Sequence, residues 1–299
     1  MIATRALGDL RISAIGLGVM TLTQLPDADV EQGVRVVHAA VDAGVTLFDT
    51  ADAYAPGPGS ELGVNERALI AALKQHPDAL EHVIIATKGG HTRGEDASWL
   101  IDGSPEHLAR AARASAHRLE LDVLPLYQHH RPDPNVPYEE SMGALRQLVD
   151  EGVVHRLGVS NVGLEQLEIA TRVLGDALVS VQNEYSLLQR ENDPVLRRAE
   201  ELGLTFFAWG PLGGRRAAKD LGGVVDTVAT VAAKHGSSPQ RVALAWLLSR
   251  SPVMVPIPGS SRPDSVRDSA TAPELALDDE DLKVLDGVID QVDAGVAER

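Results

Sequence analysis

Residues 155–182, HRLGVSNVGLEQLEIATRVLGDALVSVQ, carry one complete strand–helix–strand unit. The runs 155–159 and 179–182 are short, apolar and rich in β-formers. Between them Leu164, Leu167, Ala170 and Leu174 recur every three or four residues, the spacing of one apolar helix face. A helical connection of this kind joins parallel strands.

The same alternation runs outward to both ends. Strands are expected at 14–17, 46–49, 83–87, 123–129, 155–159, 179–182, 205–209 and 254–257. Helices are expected between them at 30–43, 66–73, 105–118, 138–150, 164–174, 194–201 and 224–235. Eight strands favour closure into a (β/α)8 TIM barrel. A doubly wound open sheet needs only five to seven strands and a glycine fingerprint after the first. Gly16-x-Gly18 lacks the third glycine and reads as turn geometry at strand one.

Three additions decorate the barrel. Segments 2–5 and 10–13 flank Leu7-Gly8-Asp9 as an N-terminal β-hairpin capping the barrel floor. Ser238-Pro239-Gln240 starts an extra helix through Leu248, and another helix follows Asp278. The acids Asp278 to Asp281 suit that helix's first turn better than a metal site. With no linker or short repeat in view, residues 1–299 read as a single domain.

Composition narrows the function. Lys plus Arg number 27 against 43 for Asp plus Glu, a net charge of −16 that argues against nucleic acid or an anionic membrane as partner. Zero cysteines exclude disulfides, thiolate nucleophiles and Cys-ligated metals. Arg5, Asp9 and Arg11 break up the N-terminus, so no signal peptide is expected there. The longest apolar run, 242–248, is too short to span a bilayer. The expectation is a cytoplasmic protein acting on a small molecule.

Function in a (β/α)8 barrel sits at the C-terminal ends of the strands. There the chain places Asp49 and Tyr54, then Lys88, then His129-His130, at three successive strand ends. A tyrosine hydroxyl titrates near about 10, too weak an acid for neutral pH. A nearby ammonium lowers that value, and a carboxylate holds the ammonium in place. A histidine can orient a carbonyl oxygen. The plainer alternative is a buried Asp–Lys pair bracing the barrel mouth. Adjacent strand residues face opposite sides, so His129 and His130 cannot both serve one site. Contiguous histidines, with no cysteine, argue against a metal centre.

The sequence resembles the aldo-keto reductase superfamily over nearly its whole length. The resemblance rests on Ile15 to Thr21, the Asp49…Tyr54 pair, Ala86-Thr87-Lys88-Gly89, the His130-Arg131-Pro132-Asp133-Pro134 run, Gly158-Val159-Ser160-Asn161 and Ile257-Pro258-Gly259-Ser260-Ser261. It implies NADPH-dependent reduction of an aldehyde or ketone, without a Rossmann fold. Tyr54 would be the proton donor, tuned by Lys88 and Asp49, and His130, directly before Arg-Pro-Asp, would orient the substrate. Ser160, Asn161 and Gln182 would hold the nicotinamide carboxamide, and Tyr185 would stack on its ring. Gly18, Met20, Trp209, Pro211, Leu212 and Gly213 would line the cofactor. Gly259, Ser261 and Arg262 would take its phosphate end, with Arg267 less well placed inside the next helix.

Ser265 and Asp268-Ser269 depart from the family pattern around the adenine, leaving Asp268 as the one candidate there. Trp209 would wall the cavity, and Trp99 either lines it or sits on the surface. A strap over 213–222 is expected to be small, and the tail after Ile289 offers little lid. Two rivals stay open: an NADPH-holding redox sensor of slow turnover, and a barrel lyase or isomerase.

Overall fold

Among the described residues, twelve strands and the helices between them place the site. In this computed structural model, residues 2–25, 29–58, 60–77, 79–213 and 226–288 are described. The strands are β1 (Thr4–Leu7), β2 (Leu10–Ser13), β3 (Leu17–Gly18), β4 (Leu47–Asp49), β5 (Ile84–Gly89), β6 (His91–Arg93), β7 (Trp99–Ile101), β8 (Leu126–His129), β9 (Leu157–Ser160), β10 (Leu178–Glu184), β11 (Thr205–Trp209) and β12 (Met254–Pro256). Eight of them form one parallel sheet in the order β3-β4-β5-β8-β9-β10-β11-β12. Its two edges meet. The Gly16 amide donates to the Pro256 carbonyl at 2.9 Å and the Gly18 amide to the Pro258 carbonyl at 3.1 Å. The fold is a (β/α)8 barrel.

The two glycines make that closure possible. A Cβ at Gly18 would lie 2.9 Å from the Ile257 carbonyl oxygen, and one at Gly16 would lie 2.9 Å from the Ile257 side chain. The Gly16-x-Gly18 pair thus serves strand approach.

Strand alternation then builds the interior in levels. Leu47, Ala86, Leu126, Phe207 and Val255 form an inner apolar cluster with Leu7 and Ile12, the hairpin side chains that plug the floor. Burying each of the larger ones stabilises by roughly 1.5–3 kcal/mol. The hairpin is tied down by Arg156, which donates to both carboxylate oxygens of Asp9 at 2.7 and 2.9 Å. Two residues further along the same strands stand Asp49, Lys88, Gln128, Trp209 and Ile257, pointing the same way one level higher. Outward-facing Phe48, Tyr127, Val159, Val181 and Phe206 pack against the helices in the larger core.

Helix boundaries follow their capping residues. Ser104 accepts from the His107 amide at the start of Pro105–Leu119, with Pro105 in the first turn. Asp278 and Asp281 form a capping box on Asp279–Asp286, and Lys234 pairs with both carboxylates, so the acidic run has a structural role.

The architecture departs from expectation in three places. The first strand is confined to Leu17–Gly18, because Ala14 donates to Ala3 as the chain crosses from hairpin to barrel. Short helices at Thr21–Gln24 and Ala79–His82 appear. A second hairpin, β6–β7, rises after β5. The expected strap over 213–222 lies outside the described residues apart from Gly213, and the tail after Ile289 lies wholly outside them, as does the start of the helix expected over 224–235. Among the described residues no helix is long and apolar enough to cross a membrane.

Candidate active site

Lys88 is fully buried at the upper end of β5 and donates to three oxygens: Asp49 Oδ2 at 2.6 Å, the Thr50 carbonyl at 2.9 Å and the Tyr54 hydroxyl at 3.1 Å. That satisfies all three ammonium protons. Burial works against the charge, but Asp49 and Tyr54 together hold the Lys88 pKa above its ordinary value. The other Asp49 oxygen accepts from Gln182 at 2.8 Å and Gln128 at 3.2 Å. The carboxylate is therefore fixed from two sides.

The Tyr54 oxygen accepts from an ammonium, so its own proton points away from Lys88. Its pKa moves opposite to the sequence expectation. Burial pushes it up, and Lys88, which pulls it down, does not outweigh burial with Asp49 close by. Tyr54 keeps its proton at neutral pH.

His130 faces inward, two residues beyond Gln128, with its ring 5.7 Å from that of Tyr54. Burial first, then Lys88, pushes its pKa well below 6.5, so the imidazole is neutral. Its Nδ1 is buried without a hydrogen-bond partner. His129 points the other way, against Tyr138 with ring centroids 5.5 Å apart, and burial lowers its pKa to about 4. His130→Ala is expected to lower carbonyl turnover by about ten-fold or more, the range of a lost positioning or proton-handling group. His129→Ala should act on thermal stability instead. Reversed losses in kcat/KM at equal melting temperature would overturn this division.

The hairpin β6–β7 overhangs these groups. Trp99 lies edge-on to Tyr54 at 6.5 Å and to His91 at 5.3 Å, and His91 is edge-on to His130 at 4.4 Å. Trp99 thus lines the mouth while remaining 46% exposed.

Strands β9 to β12 complete the mouth. Asn161, with φ of 58°, donates to the His130 carbonyl at 2.9 Å and to Ser160 Oγ at 3.0 Å, and accepts from the Trp209 indole at 3.2 Å. Ser160 accepts from Asn161 and so presents its own proton elsewhere. Gly18 adjoins Gly259 across the barrel seam. Met20 directly precedes Thr21–Gln24, and Thr21 and Gln32 fix the carbonyls of Ser260 and Ser261 at 2.7 and 2.9 Å. Arg262 is exposed at the start of Pro263–Ala270 and forms no ion pair among the described residues, whereas Arg267 pairs with Asp264 at 3.0 Å. Pro211 is buried, Leu212 packs on the outer core and Gly213 closes a turn onto Gly210.

Two expected residues stand elsewhere. Tyr185 cannot stack on a ring in the mouth: it is fully buried in the outer core, lies parallel to Trp246 at 6.3 Å, and donates to Asp193. It stands three positions beyond inward-facing Gln182, an odd step, so alternation turns it outward. Asp268 is engaged between helices, accepting from Ser238 and pairing with Arg241 at 2.8 Å, so it is not free for an adenine. Sequence reasoning missed Gln128, although alternation from His130 points to it, and missed His91.

Known proteins resemble this chain in sequence and in fold. The aldo/keto reductase family pattern matches residues 14–290. The chain is 33% identical to pyridoxine 4-dehydrogenase of Escherichia coli, covering 95% of this chain and 98% of that one. It is 35% identical to 6-dehydroglucose reductase of Novosphingobium aromaticivorans, with 90% of each covered. The structure of an aldo-keto reductase from Klebsiella pneumoniae in complex with NADPH superposes with a TM-score of 0.79 at 27% identity, covering 96% of this chain and 94% of that one. With the family pattern matching residues 14–290 and relatives above 30% identity covered over nearly their whole length, this chain is an oxidoreductase-type protein that belongs to the aldo/keto reductase family.

Proposed function

We propose that the chain reduces a small aldehyde or ketone to an alcohol with NADPH, and that Tyr54 delivers the proton. The observation that carries this reading is the Lys88-to-Tyr54 hydrogen bond at 3.1 Å on a lysine with no solvent exposure. A bracing ion pair needs only Asp49; the third donor is aimed at a hydroxyl that opens on the mouth.

The residues present fit a nicotinamide cofactor. A primary carboxamide offers two donors and one acceptor. Ser160 supplies a hydroxyl proton, and Gln182, whose amide nitrogen is turned to Asp49, leaves its oxygen as acceptor. Trp209, held by Asn161, supplies the aromatic wall assigned by sequence to Tyr185. Ser260, Ser261 and Arg262 would hold the phosphate end. When bound, NADPH supplies the hydride.

The chain's residues then handle the oxygen. Tyr54 and neutral His130 converge on the substrate's carbonyl oxygen, and Tyr54 gives it a proton as negative charge builds there. Lys88, charged and fixed by Asp49, stabilises the phenolate left behind.

Steady-state assays with 4-nitrobenzaldehyde, following NADPH absorbance, test the reaction; catalytic turnover is expected, and none with bound NADPH would refute it. The 2′-phosphate of NADPH needs a cation on a chain of charge −16. A charge-assisted bond from Arg262 corresponds to about ten- to a hundred-fold preference over NADH. Arg262→Ala should erase most of that preference in fluorescence titrations. Equal wild-type affinities would refute the preference, and an unchanged ratio in the variant would move the phosphate elsewhere.

A further inference from the structure

The mouth has two halves of different character. Strands β9 to β12 carry the hydroxyl, amide and indole groups suited to a cofactor, whereas β5 to β8 carry Tyr54's neighbours and two arginines. Among the described residues neither the Arg93 nor the Arg131 side chain forms a hydrogen bond or an ion pair. This is unusual for the chain, in which many of the other arginines are paired with acids. Arg93 is the stronger case: its Nε and Nη1 are both buried without a hydrogen-bond partner. Buried donors without partners are costly, and a guanidinium presents a planar fork that matches a carboxylate.

The hairpin geometry shows where Arg93 faces. His91 and Arg93 are two apart on β6, so they share one face. Arg93 pairs directly with Trp99 across the hairpin, which puts Trp99 on that face too. His91 touches His130 and Trp99 touches Tyr54. The face carrying Arg93 is therefore the one turned toward the reacting groups. The guanidinium stacks on Trp99 at 4.1 Å, one aromatic ring beyond Tyr54. Arg131 follows His130 directly and adds positive charge on the same side. Burial lowers the pKa of both His91 and His130, so the positive charge of this rim belongs to the arginines. Glu184, across β9, interacts electrostatically with Arg131 without closing an ion pair and offsets part of its charge, which leaves Arg93 as the principal cation.

We propose that Arg93, supported by Arg131, binds a carboxylate on the substrate, so that the preferred substrates are aldehydes or ketones bearing an acid group about one aromatic ring or a short chain from the carbonyl. This rests on the reductase reading and names its substrate class. Trp99 would stack on the connecting segment, with the carbonyl between Tyr54 and His130.

The test compares 4-carboxybenzaldehyde with its neutral methyl ester, methyl 4-formylbenzoate, at fixed NADPH. The wild type is expected to favour the acid in kcat/KM by roughly ten-fold or more, the scale of a charge-assisted contact. In Arg93→Gln that ratio should fall to near one, and in Arg93→Lys, which keeps the charge but not the fork, it should lie between. Because the readout is a ratio within each variant, partial loss of folded enzyme does not affect it. A wild-type ratio at or below one, with both compounds reduced, overturns the carboxylate site and leaves the reductase reading intact. An unchanged ratio in Arg93→Gln overturns the assignment to Arg93. If neither compound is reduced, the reductase reading has failed, and titration of tryptophan fluorescence with benzoate against benzamide still decides the site. Tighter benzoate binding that is lost in Arg93→Gln supports it; equal binding overturns it.

Discussion

Tyr54→Phe is expected to reduce carbonyl turnover by on the order of 10²-fold or more, the size of a lost general acid, with NADPH affinity retained. The substitution is unusually clean here. Among the described residues the hydroxyl has one partner, Lys88, while the ring keeps its edge contacts with Trp99 and His130. Lys88 loses one of three acceptors and keeps Asp49 and the Thr50 carbonyl. The pH dependence follows from the direction of the phenol shift. Burial raises the Tyr54 pKa above its ordinary value near 10 despite Lys88, so the acid stays protonated through neutral and mildly alkaline solution. Reduction should therefore not lose its acid as pH rises toward 9. Single-turnover rates with saturating NADPH check both statements. Near-wild-type rates in Tyr54→Phe would mean that another group delivers the proton.

Alternation makes most of the barrel legible in the sequence. The strand and helix periods around 155–182 repeat from end to end, and the same period separates His130, facing the mouth, from His129, facing a helix. Applied two strands further, it turns Tyr185 outward and Glu184 inward; the family resemblance alone named Tyr185 for the mouth, whereas the aromatic that stands there beside Asn161 is Trp209. The hairpin β6–β7 escaped reading because each arm is three residues long, too short for periodicity, and its turn depends on Ala97 at φ 65°. Asp268 was illegible for a different reason: its partners Ser238 and Arg241 lie on a neighbouring helix, and only packing brings them together. The Tyr54 shift was misread because residue identity reveals the ammonium but not the burial that opposes it. What sequence conveys well is periodic; what it conveys poorly is set by depth and by contacts between elements.

The second large effect is on stability, and it separates a mutually dependent pair from two independent side chains. Lys88 and Asp49 are both buried, with nitrogen and oxygen 2.6 Å apart. Removing one member of such a pair leaves an uncompensated charge inside the barrel, a loss of roughly 3–5 kcal/mol. Lys88→Met strands the Asp49 carboxylate with only the Gln128 and Gln182 amides to hold it. Asp49→Asn strands the ammonium with two neutral oxygens. Each single variant should melt lower by roughly 5–15 °C, given how Tm scales with stability in a large domain. The double variant Lys88→Met with Asp49→Asn carries no charge at either position of the pair, and the asparagine can still accept from both glutamines. It should therefore lose clearly less than the sum of the singles, with a coupling of about 1–3 kcal/mol in a double-mutant cycle. Turnover should behave differently: the double variant stays as inactive as Lys88→Met, because the donor to Tyr54 is gone in both. Additive stability losses would show that the two charges do not sustain each other, and recovered turnover in the double variant would show that Tyr54 does not depend on Lys88.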